Sequence, residues 1–349
     1  IVNWRPVSLA LALALGAAGG TVFFLADLPL PWMLGAMTTC IIAALSGLRL
    51  AMSSPLRAAM LAVLGVMLGS AFTPQLLQQA AGWGLSLSAL FLSMAAATVL
   101  VMAYLRRFAG MNLPTAYFAA APGGVNEMVV TGGAMGGDER SIALIHFLRI
   151  LLIVFTIPFG FRLITGIHGA PMSRSMGSLA DLAAIDAAIL LACAVGGALA
   201  GRLLRFPAAT LTGPMAASSV IHVLGLTVSH PPAELVIAAQ VITGAGLGCR
   251  MVGLSWRHLV ETARIAVGST MILITISAGL AAILAWAADL PFSLLLLAFV
   301  PGGIAEMCLI ALALGQDVAF VSTHHVLRVI LVIACAPLAF RLFKPWFRP

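Results

Sequence analysis

Seven residues, Pro122-Gly123-Gly124-Val125-Asn126-Glu127-Met128, return 179 positions later as Pro301-Gly302-Gly303-Ile304-Ala305-Glu306-Met307. Downstream at the same offset, His146-Phe147-Leu148-Arg149 returns as His325-Val326-Leu327-Arg328. Between positions 122 and 162, 15 of 41 residues match the second copy, and the matches include Glu, His, Arg and Asp. Such residues are rare in apolar segments, so the chain contains an internal duplication. The duplicated polar residues are the first candidates for a functional site.

The composition is that of a membrane protein. Of 349 residues, 62% are hydrophobic and 8% are charged, whereas charged residues make up about a quarter of soluble domains. Apolar runs of about 18 residues or more recur along the chain, and each is long enough to cross a ~30 Å hydrocarbon core as a helix. Barrel strands would alternate over about 10 residues. The sequence therefore predicts an all-α polytopic membrane protein with the lipid bilayer as its main partner.

The charged residues and cysteines exclude several classes of partner. The net charge is +7, but 17 Arg and one Lys are dispersed singly or in pairs between apolar runs, as positive-inside loops require. No basic stripe or aromatic platform is present, so we expect no nucleic-acid partner. The five cysteines lie inside apolar segments without paired spacing, and we expect neither a disulfide framework nor a metal site. No cofactor is predicted.

The chain divides into two membrane repeats. We predict a first repeat over 1–165, a linker over 166–181 and a second repeat over 182–349. Breaks at Gly, Pro and Arg give six elements in each repeat. The predicted elements are 7–25, 31–48, 56–77, 84–107, 115–135 and 140–165, then 182–200, 208–226, 232–254, 264–287, 293–315 and 318–343.

The arginines of the loops predict how the repeats are oriented. They follow the second and fourth elements of the first repeat, but the first and third elements of the second. If these loops face the cytoplasm, the two repeats have opposite orientations. Each repeat then crosses five times, and the fifth element, interrupted by Pro-Gly-Gly, turns back as a re-entrant segment. This predicts about ten transmembrane helices, two broken segments and cytoplasmic termini; the alternative is twelve spans in parallel repeats.

The duplicated polar residues are predicted to meet at the membrane midplane. Asp138 and Asp317 are expected to cap the sixth helix of each repeat. Arg149 lies eleven residues further, about 16 Å at the α-helical rise, and His146 shares its face. Glu127 reaches a similar depth. Ionisable groups at that depth mark a binding site or pathway; the alternative is two structural Glu–Arg pairs that hold each broken segment in place.

We predict a secondary transporter or channel-like carrier of a small solute or ion, with anions among the candidates. The Gly-Gly tips would free backbone N–H groups for an anion, assisted by the arginines. No catalytic motif is visible, so no enzyme is predicted. The predicted substrate- or ion-binding residues are Gly123, Gly124, Asn126, Glu127, His146 and Arg149, with Gly302, Gly303, Glu306, His325 and Arg328.

The paired PGGxxEM segments, each followed by Asp and then His-x-x-Arg, resemble the bacterial AbrB membrane family over essentially the whole chain. The resemblance implies a place in the bacterial cytoplasmic (inner) membrane. Names used in the family imply two other functions, a membrane-embedded ammonia monooxygenase-like oxidase and a regulator or sensor that affects gene expression indirectly. By architecture alone, the chain is similar to inverted-repeat carriers. The glycines of segment 244–248 permit close helix packing, either within one chain or in a homodimer.

Overall fold

A computed structural model describes residues 6–76, 81–165, 177–254 and 256–343, and the regular elements within these ranges are helical. We number the α-helices in chain order. They are α1 Pro6–Leu25, α2 Pro31–Leu45, α3 Ser54–Gly69, α4 Gly84–Phe108, α5 Leu113–Ala120, α6 Val125–Ala134, α7 Glu139–Thr165, α8 Ala184–Leu203, α9 Ala209–Val223, α10 Ala233–Gly248, α11 Trp256–Ala288, α12 Phe292–Phe299, α13 Ile304–Ala313 and α14 Val318–Phe343.

Each predicted element is found as a helix, and the fifth element of each repeat is broken in two. The breaks lie between α5 and α6 and between α12 and α13, at Pro122-Gly123-Gly124 and Pro301-Gly302-Gly303, where proline removes a donor and glycine weakens a helix. Three boundaries differ by six residues or more: α11 begins at Trp256 rather than near 264, α10 ends at Gly248 rather than near 254, and α3 ends at Gly69 rather than near 77. Thr73-Pro74 follows, and the residue before a proline disfavours helical backbone.

Six of these helices are long and apolar enough to cross a membrane: α1, α4, α7, α8, α11 and α14. The helices α2, α3, α9 and α10 have only 15 or 16 residues, about 24 Å or less. The long helices carry exposed large apolar side chains, such as those of Leu25, Leu203 and Trp286. The all-α polytopic membrane class is thereby confirmed, and the number of crossings stays a prediction.

The chain divides into two compact units, each with helices from both sequence repeats. The first unit comprises the described residues within 1–78, 155–256 and 308–319, and so contains α1–α3 and α8–α10. The second comprises those within 79–154, 257–307 and 320–349, with α4–α6, most of α11, α12 and most of α14. Residues 166–176 of the predicted linker lie outside the described residues.

Close contacts at glycines show in which directions the helices of the first unit run. A Cβ on Gly244 of α10 would collide with the backbone of Met33 on α2, and one on Gly248 would meet Met37 O at 2.9 Å. Because the contacts advance along both helices together, α2 and α10 run parallel. The Arg57 side chain, near the start of α3, lies along Gly246, near the end of α10. At the other end, Ser70 Oγ, just after α3, lies 2.8 Å from Nδ1 of His230, which precedes α10. Therefore α3 and α10 run antiparallel.

These glycines serve contacts within the chain. Gly65 on α3 and Gly244 on α10 are 179 positions apart, and each lies against the backbone of a helix from the other repeat. For Gly65 that partner is Leu211 on α9. Of the glycines that suggested a homodimer, Gly244 and Gly248 pack against α2, and Gly246 packs against Arg57 of α3. These contacts within the chain do not test the homodimer, which stays a prediction.

We expect Gly65→Ala and Gly244→Ala to destabilise the protein by about 1–3 kcal/mol each, because the added methyl group forces packed backbones apart. Gly196→Ala on α8 is the matched control, since a Cβ there meets no atom within 4 Å and alanine favours the helix. Unfolding of the purified proteins in detergent measures the effect. Equal unfolding midpoints for all three variants would contradict the close approach of α3 to α9 and of α10 to α2.

Candidate functional site

The first broken segment folds back on itself within the second unit. Asn112 caps α5 through its side-chain oxygen, which accepts from Thr115 N at 3.0 Å, and its Nδ2 donates to Gly136 O at 3.3 Å. Asp138 N donates to Thr115 Oγ1 at 2.8 Å. These bonds place the start of α5 beside the end of α6. The break at Pro122-Gly123-Gly124 is therefore the tip of a helical hairpin.

The two glycines of each Pro-Gly-Gly give room to other groups. Gly124 is the N-cap of α6, and a Cβ on it would collide with the Glu127 carboxylate; Gly303 and Glu306 repeat this arrangement. Each carboxylate thus folds back against the start of its helix, where the helix dipole favours negative charge. A Cβ on Gly302 would lie 2.8 Å from the Met307 side chain. The motif residues Gly, Glu and Met therefore pack against one another.

Each broken segment is joined to the long helix that follows it by a buried His–Arg pair. His146 Nε2 lies 2.8 Å from Phe118 O, and its Nδ1 lies 2.6 Å from Arg149 Nη2. In the second repeat, His325 Nε2 lies 2.8 Å from Leu297 O, and its Nδ1 lies 2.9 Å from Arg328 Nη2. The acceptors, like the pairs, are 179 positions apart.

This geometry fixes the protonation of both histidines. A guanidinium only donates hydrogen bonds and a carbonyl only accepts them. The Nδ1 atoms of His146 and His325 therefore accept from arginine, and their Nε2–H groups donate to the carbonyls. Both imidazoles are neutral in this arrangement, because a proton on Nδ1 would displace the arginine. All four side chains of the two pairs are at most 2% exposed.

The two arginines differ in how they contact the break. Arg328 donates to Val300 O at 3.1 Å and to Gly302 O at 2.9 Å, two carbonyls released where α12 ends. The equivalent carbonyls of the first repeat belong to Ala121 and Gly123. Among the described residues Arg149 contacts neither of them, and its only carbonyl contact is to Ala119 O at 3.5 Å.

The predicted convergence of Glu, His and Arg is only partly present. Histidine and arginine are in contact in each repeat, whereas Glu127 and Glu306 lie against glycines. In the described part of the chain, no Glu–Arg ion pair joins these groups; Arg328 instead donates to two carbonyls of its break, and Arg149 reaches only Ala119 O. Asn126 is exposed, whereas its counterpart Ala305 is buried. The first break is therefore the more accessible of the two.

The tip of the first hairpin lies against the second repeat. A Cβ on Gly123 would lie 2.5 Å from Val332 Cγ1, on α14 and one turn after Arg328. Tyr117 on α5 donates to Ala336 O of α14 at 3.0 Å. Within the second unit, the first break therefore contacts the helix that carries the second arginine.

Asp138 caps α7 as predicted. Its carboxylate accepts hydrogen bonds from the Ser141 hydroxyl and from Arg140 N, the latter at 3.1 Å. These bonds, led by that of Ser141, lower the pKa of Asp138. Asp317 occupies the residue just before α14. The aspartates therefore lie at the starts of helices and are not part of the Glu, His and Arg group of either repeat.

Some polar groups of this region escaped the sequence analysis. The acceptors Phe118 O and Leu297 O are backbone atoms, and their side chains differ, so no residue pattern points to them. His324 is buried, with Nδ1 2.8 Å from Phe320 O and Nε2 2.9 Å from Ser86 Oγ. Its neighbour His325 was chosen because it is duplicated, whereas His324 corresponds to Ile145. No three His, Cys, Asp or Glu side chains form a metal-binding group within the described ranges.

The fold and the site define a polytopic helical membrane protein with two broken helices, each in contact with a buried His–Arg pair of the long helix that follows it. The chain belongs to the AbrB family, because the family model described as "Transition state regulatory protein AbrB" matches residues 32–344. It is 27% identical to "Uncharacterized protein YhjN" of Bacillus subtilis (strain 168), over 95% of this chain and 91% of that protein. It is 25% identical to "Putative regulator AbrB" of Escherichia coli (strain K12), over 99% and 98%.

Proposed function

We propose that the protein is a secondary transporter or channel-like carrier of a small solute or ion in the bacterial cytoplasmic membrane, with both termini in the cytoplasm. The observation that carries the proposal is the pair of broken helices in the second unit. At each break a buried arginine faces the carbonyl end of one half-helix, and a glutamate lies at the amide end of the next. Carriers use such interrupted helices to bind solutes and coupling ions.

The helix directions in the first unit support an inverted relation between the repeats. The helices α3 and α10 occupy equivalent places in the two repeats, and they run antiparallel. The helices α2 and α10 are not equivalent, and they run parallel. If the two repeats had the same orientation, α3 and α10 would run parallel, and α2 and α10 would run antiparallel. Together with the placing of arginines in alternate loops, this supports ten crossings with two re-entrant segments.

The first break supports an anionic solute as the cargo. Arg149 has only one long carbonyl contact, which leaves much of its donor capacity for a ligand. The accessible Asn126 side chain and the Gly124 N–H add further donors, whereas the Gly123 N–H already donates to Ala121 O at 2.9 Å. Glu127 and Glu306 are then the groups that carry a coupling proton or cation. The histidines are poor proton carriers in this arrangement, because arginine occupies Nδ1.

Flux through proteoliposomes tests the proposal. Vesicles with the pH dye pyranine inside would receive succinate, citrate, glutamate or phosphate outside, with the membrane potential clamped by valinomycin. We expect at least one anion to cause a coupled pH change, and Glu127→Gln or Glu306→Gln to abolish it, because an amide carries no proton. Glu234→Gln, an exposed site on α10, is the matched control.

A second variant separates the position of the carboxylate from its charge. Gly303→Ala keeps Glu306 but pushes its carboxylate away from the helix start. We expect at least about a tenfold loss of flux in a folded protein, as misplacement of a reacting group produces. Unchanged flux in both glutamine variants would remove the glutamates from the mechanism. Silence of folded wild-type protein towards the whole panel would count against a coupled carrier of these anions.

The oxidase and the indirect regulator stay predictions from the resemblance. The word "regulator" in the names of the family and of the Escherichia coli protein belongs to them. For this chain, a carrier that sets the level of a signalling solute would affect gene expression without contacting DNA.

A further inference from the structure

The first unit contains a cavity with a basic lining, at a place separate from the broken helices. Its volume is ≈ 720 Å³, within the range of ~300–1,000 Å³ that small-molecule sites occupy. It lies among the start of α3, the start of α9 and the end of α10. Two arginines, Arg57 and Arg250, line it, and no Asp or Glu is among the described lining residues.

The Arg57 side chain is held at the wall of this cavity. Its Cδ lies 3.3 Å from the Cβ position of Gly246, so a larger residue at 246 would displace it. The side chain is half-buried, and its Nε is buried without a hydrogen-bond partner in the described ranges. A buried donor without an acceptor destabilises the folded state, and an anionic acceptor would remove that cost.

The rest of the lining suits an anion with an apolar part. The first turns of α3 and α9 contribute Ser54 and Thr210, and helix N-termini favour negative charge. Leu50, Leu61 and Val252 form apolar wall. A purely inorganic ion would leave this wall without a partner. A carboxylate or phosphate carried on a short hydrocarbon group matches both parts.

We propose that this cavity is a binding site for a small organic anion, a carboxylate or phosphate with an apolar body, held by Arg57 and Arg250. Either a free solute or the headgroup of an anionic lipid has this chemistry. The site belongs to the first unit and does not depend on transport through the broken helices. It would remain if the protein proved not to be a carrier.

Cys249 lines the cavity and provides a direct probe of its potential. In a variant that keeps only this cysteine, the rates of modification by anionic MTSES and cationic MTSET would be compared in dodecyl maltoside. We expect the MTSES/MTSET rate ratio to exceed that of the free thiol 2-mercaptoethanol by roughly tenfold, since a basic cleft concentrates anions. 2-Mercaptoethanol carries no charge, so its ratio gives the intrinsic preference of a thiol between the two reagents.

Charge variants then assign the effect to the two arginines. Arg57→Gln with Arg250→Gln should lower the ratio roughly tenfold, and lysine at both positions should retain it. Arg202→Gln removes an exposed charge from the same unit outside the cavity and should leave the ratio unchanged. The ratio also cancels any change in the reactivity of the thiol itself. If the double variant does not fold, Arg250→Gln alone gives the same comparison.

Protection of Cys249 identifies the occupant. If hexanoate or hexyl phosphate slows the modification of Cys249 by both reagents, the site takes a free solute. If both reagents are slower only in phosphatidylglycerol nanodiscs, relative to phosphatidylcholine nanodiscs, the site takes a lipid headgroup. A ratio equal to that of 2-mercaptoethanol, or one unaffected by the glutamine variants, would overturn the proposal.

Discussion

Arg328→Met is expected to lower the free energy of unfolding by at least about 3 kcal/mol. The guanidinium donates to Val300 O, Gly302 O and His325 Nδ1, and all three acceptors lie in a buried region. Methionine has similar length but no donor. Val300 O keeps the Gly302 N–H as a donor at 2.9 Å, whereas Gly302 O and His325 Nδ1 lose theirs, and each buried acceptor left unsatisfied costs about 1–3 kcal/mol. Much of the mutant protein should fail to reach the folded state, because one or two kcal/mol is already a large share of total stability.

Unfolding in mixed micelles, followed by tryptophan fluorescence, measures this loss. Arg328→Lys should be intermediate, because an ammonium keeps the charge but cannot reproduce the planar set of donors. Arg202→Met, at an exposed position on α8, controls for the loss of a charged group. If Arg328→Met unfolds at the same denaturant concentration as wild-type protein, Arg328 does not hold the second break.

The sequence alone was enough to locate the helices and the two breaks. Long apolar runs located the helices, because a segment in lipid must satisfy its backbone hydrogen bonds internally, as a helix does. Pro122 and Pro301 fixed the breaks, because proline interrupts the hydrogen-bond ladder. The two largest boundary errors have different causes: the predicted third element continues through Thr73-Pro74, and the predicted tenth element begins only at Arg264, inside α11.

The partners of the site residues were harder to predict. The duplication singled out Glu127, His146 and Arg149, and opposite charges suggested a Glu–Arg contact. The guanidinium instead faces backbone carbonyls and an imidazole, and carbonyl acceptors leave no mark in the sequence. The sequence predicts that the glycines of each Pro-Gly-Gly free backbone N–H groups for a ligand. It does not predict that Gly124 and Gly303, each three residues before a glutamate, leave room for the carboxylate at the helix start.

The two repeats therefore differ in a way that the shared motif conceals. In the second repeat, Arg328 completes the hydrogen bonding of the break, and Ala305 is buried. In the first repeat, Arg149 contacts neither equivalent carbonyl, and the exposed residue is Asn126. At the second break the carbonyls are hydrogen-bonded by Arg328 of the same repeat, whereas at the first break the donors of Arg149 are the ones we propose for a ligand. Such asymmetry is what a single solute bound beside one of two similar breaks requires.

Arg149→Met should therefore leave the protein folded and abolish transport. The single 3.5 Å carbonyl contact contributes little, and removing a buried, poorly compensated charge offsets the loss of the bond to His146. We expect a change in unfolding free energy within about 1 kcal/mol and a loss of flux of at least about 100-fold, equivalent to about 2.7 kcal/mol. The pyranine assay with the transported anion measures flux, and Arg149→Lys should restore part of it because the positive charge remains. If Arg149→Met unfolds as readily as Arg328→Met, both arginines brace the fold and the binding role falls. If it folds and transports normally, the solute does not contact Arg149, and the first break is not the site.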